Sequence, residues 1–270
     1  MDAFARAVWI LVGVTCLAGG CISPWTARLT LPARYSVVRD QLVIHSDFPL
    51  ATNHRLLTEL TTVRNDLGQR LGIPISDEPI QVYLFENEEE FRGFVRLYYP
   101  ELPNRRAFFL ETDTRLQIYA QWGDRLGEDL RHEVTHGYLH AAVPNLPLWL
   151  DEGIAEYYEV PRSSRGLNRT NLDCLAAALE RGRRQPDLAR LERFKPTHDM
   201  TQEDYSEAWA WVYFLLETRS EQRGILRGYL EDLRRFGSAE PLSERLRQAV
   251  PEPQRVLAAF VQSLAANVRQ

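Results

Sequence analysis

The chain has 270 residues, of which 44% are hydrophobic and 26% charged, a balance that excludes a disordered chain and a polytopic membrane protein. That length can bury a core without disulfide or metal staples. Its 32 basic and 37 acidic residues leave a net charge of −5, which argues against a nucleic-acid binder, since those carry a basic excess or stripe.

Arg6 is followed by an apolar stretch over residues 7–17 and then by Ala18-Gly19-Gly20-Cys21. The stretch is too short to span a bilayer and suits the apolar region of a secretory signal, so residues 1–20 are expected to be removed on export. A cysteine directly after small residues resembles a bacterial lipobox, although Leu17 stands one position too far upstream. On that reading Cys21 carries lipid and anchors the protein to the membrane; the alternative is an ordinary cleaved signal. Of the 3 cysteines, Cys21 and Cys174 outlast cleavage. A lipidated Cys21 leaves Cys174 unpaired, with no internal disulfide framework.

Residues 21–35, with two prolines and little periodicity, read as a tether. Residues 39–48 alternate as a strand would, with Leu42 and Ile44 on one face. An amphipathic helix follows over residues 54–72, its apolar stripe formed by Leu56, Leu57, Leu60, Val63, Leu67 and Leu71. Ile80–Phe85 is strongly β-prone. Asn87 is suited to cap a helix running to residue 99, with Glu88, Glu89 and Glu90 favourable in its first turn. Residues 106–110 and Arg115–Gln121 read as two strands around a turn at Glu111-Thr112-Asp113. From Gly127 onward the pattern is helical, apart from a loop over residues 161–170. The expected architecture is α+β. An α/β lobe spans residues 36–160, and a lobe of about five helices fills residues 161–270.

The chemistry concentrates where these lobes meet. His132-Glu133-Val134-Thr135-His136 is an H-E-x-x-H sequence in a helical context. Residues four apart on a helix share a face, so His132 and His136 can offer two imidazole nitrogens to one Zn²⁺. Glu133 lies beside that face, placed to take a proton from water as general base. Three arrangements compete for the third ligand. His140 is about 12 Å from His132 along a continuous helix, too far to share one ion. A metzincin pattern would need Gly at 139 and His at 142, where this chain has Leu139 and Ala142. Glu152, in Leu148-Trp149-Leu150-Asp151-Glu152-Gly153-Ile154-Ala155-Glu156, sits on what reads as the next helix, after a turn at Val143-Pro144-Asn145.

H-E-x-x-H followed by W-L-x-E-G-x-A resembles the gluzincin metallopeptidases. Residues 150–155 are similar to the segment that carries the third zinc ligand in aminopeptidase N-like enzymes. The ending Ala155-Glu156-Tyr157-Tyr158 is closer to the peptidase MA-like domains of bacterial secreted proteins. The resemblance implies a zincin-like fold with an edge strand ahead of the zinc helix, a place to which Arg115–Gln121 corresponds. It implies His132, His136 and Glu152 as ligands and Glu133 as base. It also places Glu156 against the free ring N–H of His132. Tyr205 stands about where aminopeptidase N-like enzymes carry an oxyanion-stabilising tyrosine, with Tyr157, Tyr158 and Tyr213 as rivals.

The expectation is therefore zinc-dependent hydrolysis of a peptide or protein substrate at the bacterial cell envelope. The G-x-M-E-N motif that holds a substrate amine in aminopeptidases is absent, because Met1 and Met200 are the only methionines. Glu111 stands alone in the nearest region and reads as a turn residue, so internal cleavage is expected over amino-terminal trimming. Two alternatives remain: a zincin scaffold that binds a partner without hydrolysis, and a hydrolase of a non-peptide or cell-wall amide. The oligomeric state is not legible.

Overall fold

The computed structural model describes residues 30–102 and 105–269. The expected signal segment, Cys21 and the tether as far as residue 29 lie outside the described residues. What is described is α+β: a five-stranded mixed sheet and ten α-helices.

The sheet order is β1-β2-β3-β5-β4. β1 (Tyr35–Arg39) and β2 (Leu42–Ser46) form an antiparallel hairpin. β3 (Ile80–Phe85) pairs in parallel with β2 and with β5 (Arg115–Gln121), and β4 (Ala107–Thr112) pairs antiparallel with β5. Three expectations change here. The strand expected over residues 39–48 is the shorter β2, and the chain reverses at Asp40, whose φ is +52°, so that a further strand precedes it. That strand is β1, an outer strand in which Val37 is the only buried residue and which takes only Tyr35 from the expected tether. Glu111 belongs to β4, not to a turn. Finally, Arg115–Gln121 is not the edge. It lies between β3 and β4, and its unbroken buried run over residues 116–120 is what an interior strand requires. The edge beside the H-E-x-x-H helix is β4.

Because side chains alternate across a strand, the sheet buries two different faces. One joins Tyr83, Phe85 and Tyr119 to Phe91 and Phe94 of helix α2 (Glu88–Tyr98) in an aromatic cluster. The other places Val82, Leu84, Ile118 and Ala120 in the main core with helix α1 (Arg55–Leu71) and helix α3 (Leu126–His140). α1 ends on Gly72 at φ +70°, while His54 and Asn87 cap α1 and α2 through their side chains.

A turn through Asn145, at φ +55°, leads from α3 into α4 (Leu148–Glu159). α4 packs between α3 and α7 (Gln202–Glu217). The remaining helices are α5 (Arg169–Glu180), α6 (Leu188–Leu191), α8 (Ser220–Phe236), α9 (Leu242–Ala249) and α10 (Pro253–Val268). A continuous apolar core runs from Leu42 and Leu60 through Trp149, Trp209 and Trp211 to Leu257 and Val261. Among the described residues, no helix is long and apolar enough to cross a membrane.

Candidate metal centre

α3 presents His132 and His136 one turn apart, with their ring centroids separated by 4.9 Å. α4 folds back and brings Glu152 between them. Oε2 of Glu152 is 3.6 Å from Nε2 of His132 and 3.8 Å from Nε2 of His136. The three side chains each offer a ligand atom within 4.8 Å of the others and could hold a metal ion. These spacings exceed a hydrogen bond, so the three donors face a common point rather than each other.

The outer nitrogens are engaged by carboxylates. Nδ1 of His132 lies 3.2 Å from Oε2 of Glu159, whose other oxygen accepts from Asn168 Nδ2 at 3.0 Å. Nδ1 of His136 lies 2.9 Å from Asp151 Oδ1. Glu156, expected against His132, is occupied elsewhere: its Oε2 accepts from Asn171 Nδ2 at 2.7 Å and from Asn168 Nδ2 at 3.2 Å. Helical geometry permits the exchange. Seven residues turn a helix through about 700°, so Glu159 returns to within about 20° of the Glu152 stripe, whereas Glu156 is offset by about 40°.

His140 is not a free surface residue. Its Nε2 lies 3.0 Å from Asp151 Oδ2, and its Nδ1 lies 2.6 Å from Oε2 of Glu111 on β4. A chain of contacts thus joins the edge strand to His136. The groups His136–His140–Asp151 and His132–Glu156–Glu159 also meet the spacing for a metal. In the first, Asp151 already lies against both imidazoles; in the second, Glu156 is held by two asparagines. The His132–His136–Glu152 group keeps its inward atoms unshared.

Charge inside this region is finely balanced. Burial would depress the His132 imidazole, but Glu152 and Glu159 outweigh it and hold its pKa well above the ordinary value. His136 is raised likewise, with Asp151 overcoming burial. Glu152 is held low by the two histidines in spite of its burial. This surplus of carboxylate favours a cation at the inward nitrogens. Burial raises Glu133, partly countered by His132 and His136, and burial with the adjacent Glu159 charge pushes Glu156 up to about 7.

Glu133 and His132 line a cleft of about 260 Å³ together with Arg105, Arg106 and Glu159. Arg106 is committed to Asp129. Tyr205, on the first turns of α7, is half-buried. Its phenol is raised by burial and by the charge of Glu152, and lowered by Arg105 and His132. The rival tyrosines face elsewhere. Tyr157 donates to Glu217 at 2.5 Å, Tyr158 donates to Asp66 at 3.0 Å, and Tyr213 packs with Trp209 and Phe260.

Sequence reasoning missed Asp151 and Glu159. A signal existed for both: Asp151 precedes the expected ligand, and Glu159 repeats it seven residues on. No local signal points to Asn168, Asn171 or Arg105, which arrive from other segments. Residues 129–232 match a family described as protein of unknown function (DUF1570). The matched segment contains His132, Glu133, His136, Glu152 and Tyr205. Among curated proteins, none matches the chain.

Proposed function

We propose that this chain is a zinc-dependent peptidase of gluzincin type with a zincin-like fold, exported and anchored to the bacterial envelope through lipid on Cys21. The observation that carries the proposal is the convergence of His132 Nε2, His136 Nε2 and Glu152 Oε2, with Glu133 alongside. Ligands about 2.0–2.1 Å from a tetrahedral zinc stand about 3.3–3.4 Å apart. The 3.6 and 3.8 Å separations here lie a few tenths of an ångström above that. The outer shell fits as well. The Glu159 carboxylate on His132 Nδ1 favours the tautomer that turns its Nε2 lone pair inward, and Asp151 stands 2.9 Å from His136 Nδ1, the usual placement of support for a zinc-binding imidazole.

When bound, zinc would polarise a scissile carbonyl and lower the pKa of water. The chain's own residues supply the rest. Glu133 takes the proton from the attacking water and returns it to the leaving nitrogen, and the burial that raises its pKa suits it to both transfers. Tyr205 donates its hydroxyl hydrogen to the developing oxyanion. β4, the edge strand over α3, pairs with an extended substrate backbone. Its Phe109 packs near His136, with centroids 6.0 Å apart, which ties that edge to the centre.

The test compares wild type with Glu133→Gln. Both should hold one zinc per chain, and only wild type should cleave a quenched peptide library. Cleavage by the variant at the wild-type rate would refute the assignment of the base. A wild type free of zinc after metal reconstitution would refute the centre.

A further inference from the structure

A second cavity of the fold is separate from this centre. It encloses about 510 Å³ between α1, the end of α4 and the segment that follows, and shares no lining residue with the 260 Å³ cleft. That volume lies in the range of small-molecule sites. Its walls carry Arg55, Arg70, Arg131, Arg162 and Arg165 against two carboxylates, Glu59 and Asp66. Five arginines around one cavity run against a chain whose net charge is −5.

The structure uses only two of these arginines internally. Arg131 donates to Glu59 at 2.7 Å and to the Glu159 carbonyl at 2.6 Å. Arg70 pairs with Asp66 at 2.9 Å and with Glu217. Arg55, Arg162 and Arg165 have no ion-pair partner among the described residues, and all three line the cavity. They line it from two different elements, the start of α1 and the segment after α4. Guanidinium forks from separate directions suit an oxyanion that takes several hydrogen bonds.

Beside Thr58 and Thr62, the rest of the wall offers apolar surface. Val63, Val160 and the rings of Tyr157 and Tyr158 form it, and both phenol oxygens are already engaged. Gly166, at φ +77°, closes this side. A Cβ there would stand 1.9 Å from Tyr157 Cε2, so bare backbone is what lets the segment bearing Arg165 lie against the ring.

We infer that this cavity binds a small organic anion, an apolar or aromatic body with a phosphate monoester or dicarboxylate head held by Arg55, Arg162 and Arg165. The inference stands independently of the metal centre.

The experiment is calorimetric titration of the purified protein with phenyl phosphate, phthalate, inorganic phosphate and benzyl alcohol. Phenyl phosphate or phthalate should bind, and whichever is tighter identifies the head group. Benzyl alcohol should not bind, and inorganic phosphate should bind at least about tenfold more weakly than phenyl phosphate. The double variant Arg55→Gln/Arg165→Gln changes two exposed side chains and should weaken the organic anion at least about tenfold. Arg235→Gln, a surface change on α8, should leave it unaltered. Failure of both organic anions to bind would overturn the inference, as would equal binding by the double variant. Equal binding of inorganic phosphate or benzyl alcohol would do the same. Glu133→Gln should bind phenyl phosphate like wild type, which keeps this outcome distinct from the peptidase test.

Discussion

Gly153 follows the proposed ligand Glu152, and its replacement by alanine isolates how α4 is seated. A Cβ at 153 would lie 2.7 Å from the Ala208 carbonyl oxygen, 2.9 Å from the Ala208 carbonyl carbon and 2.9 Å from Val212 Cγ2. Two of those atoms are backbone of α7, so no rotamer change relieves the clash. Alanine in a helix interior gains up to about 1 kcal/mol over glycine. Overpacking of a dense contact costs about 3 kcal/mol at the upper end of its usual range. The net loss is then about 2 kcal/mol. At about 2–4 °C per kcal/mol for a domain of this size, Tm falls by about 4–8 °C. The strain is relieved by moving α4 away from α7, which displaces Glu152, so zinc affinity falls with Tm. Gly224→Ala on α8 is the control, because a Cβ there meets nothing within 4 Å. That variant should gain about 0.5–1 kcal/mol. Calorimetry on both variants decides the matter. A Gly153→Ala protein that melts with wild type and holds zinc equally well would refute the close approach of α4 to α7.

Tyr205→Phe should lower kcat by about 10²–10³ while zinc content stays unchanged; an unaltered kcat would return the hydroxyl to a packing role. Amino-acetylated and free peptides of one sequence should be cleaved at similar rates, because Glu111, which might otherwise hold a substrate amine, lies 2.6 Å from His140 Nδ1; release of single residues from free peptides alone would contradict this. Asp151 and Glu111 together overcome burial and raise His140 to about 9, against about 6.5 unfolded. Its contribution is therefore complete below about pH 6.5 and lost as pH rises through about 9. His140→Gln, in EDTA, should cost about 1–2 kcal/mol at pH 6 once the exposure of Glu111 is discounted, and little at pH 10, by urea denaturation. An equal cost at both pH values would remove the charged contact.

Elements whose evidence is local were legible. The stripe from Leu56 to Leu71 defines α1 because six leucine and valine side chains fall on one face, and each is buried in the fold. Ile80–Phe85 and Arg115–Gln121 agree with β3 and β5 residue for residue. What the sequence reading misassigned was which strand lies outside, since Arg115–Gln121 was expected at the edge and is interior. That depends on β4 returning antiparallel to β5, a pairing between segments. β1 was missed for the opposite reason: an outer strand with one buried side chain carries little of the alternation that marks a strand.

The same division runs through the candidate centre. His132 and His136 are four residues apart on one helix, so their approach follows from helical geometry alone. The outer partners depend on how α4 lies across α3, which spacing within α4 constrains but does not decide. Glu156 and Glu159 both fall near the Glu152 stripe, and the amides of Asn168 and Asn171 separate them, since Asn168 reaches both and Asn171 only Glu156. Those amides take Glu156 Oε2, and Asn171 is in turn held by Ser206 Oγ at 3.0 Å and Gln202 Nε2 at 3.1 Å from α7. With Glu156 fixed to α5, Glu159 is left to meet His132. The helices beyond residue 160 therefore determine which carboxylate supports the first histidine. That dependence explains why a motif confined to residues 132–156 could point to the three side chains that converge and still misplace the group behind one of them.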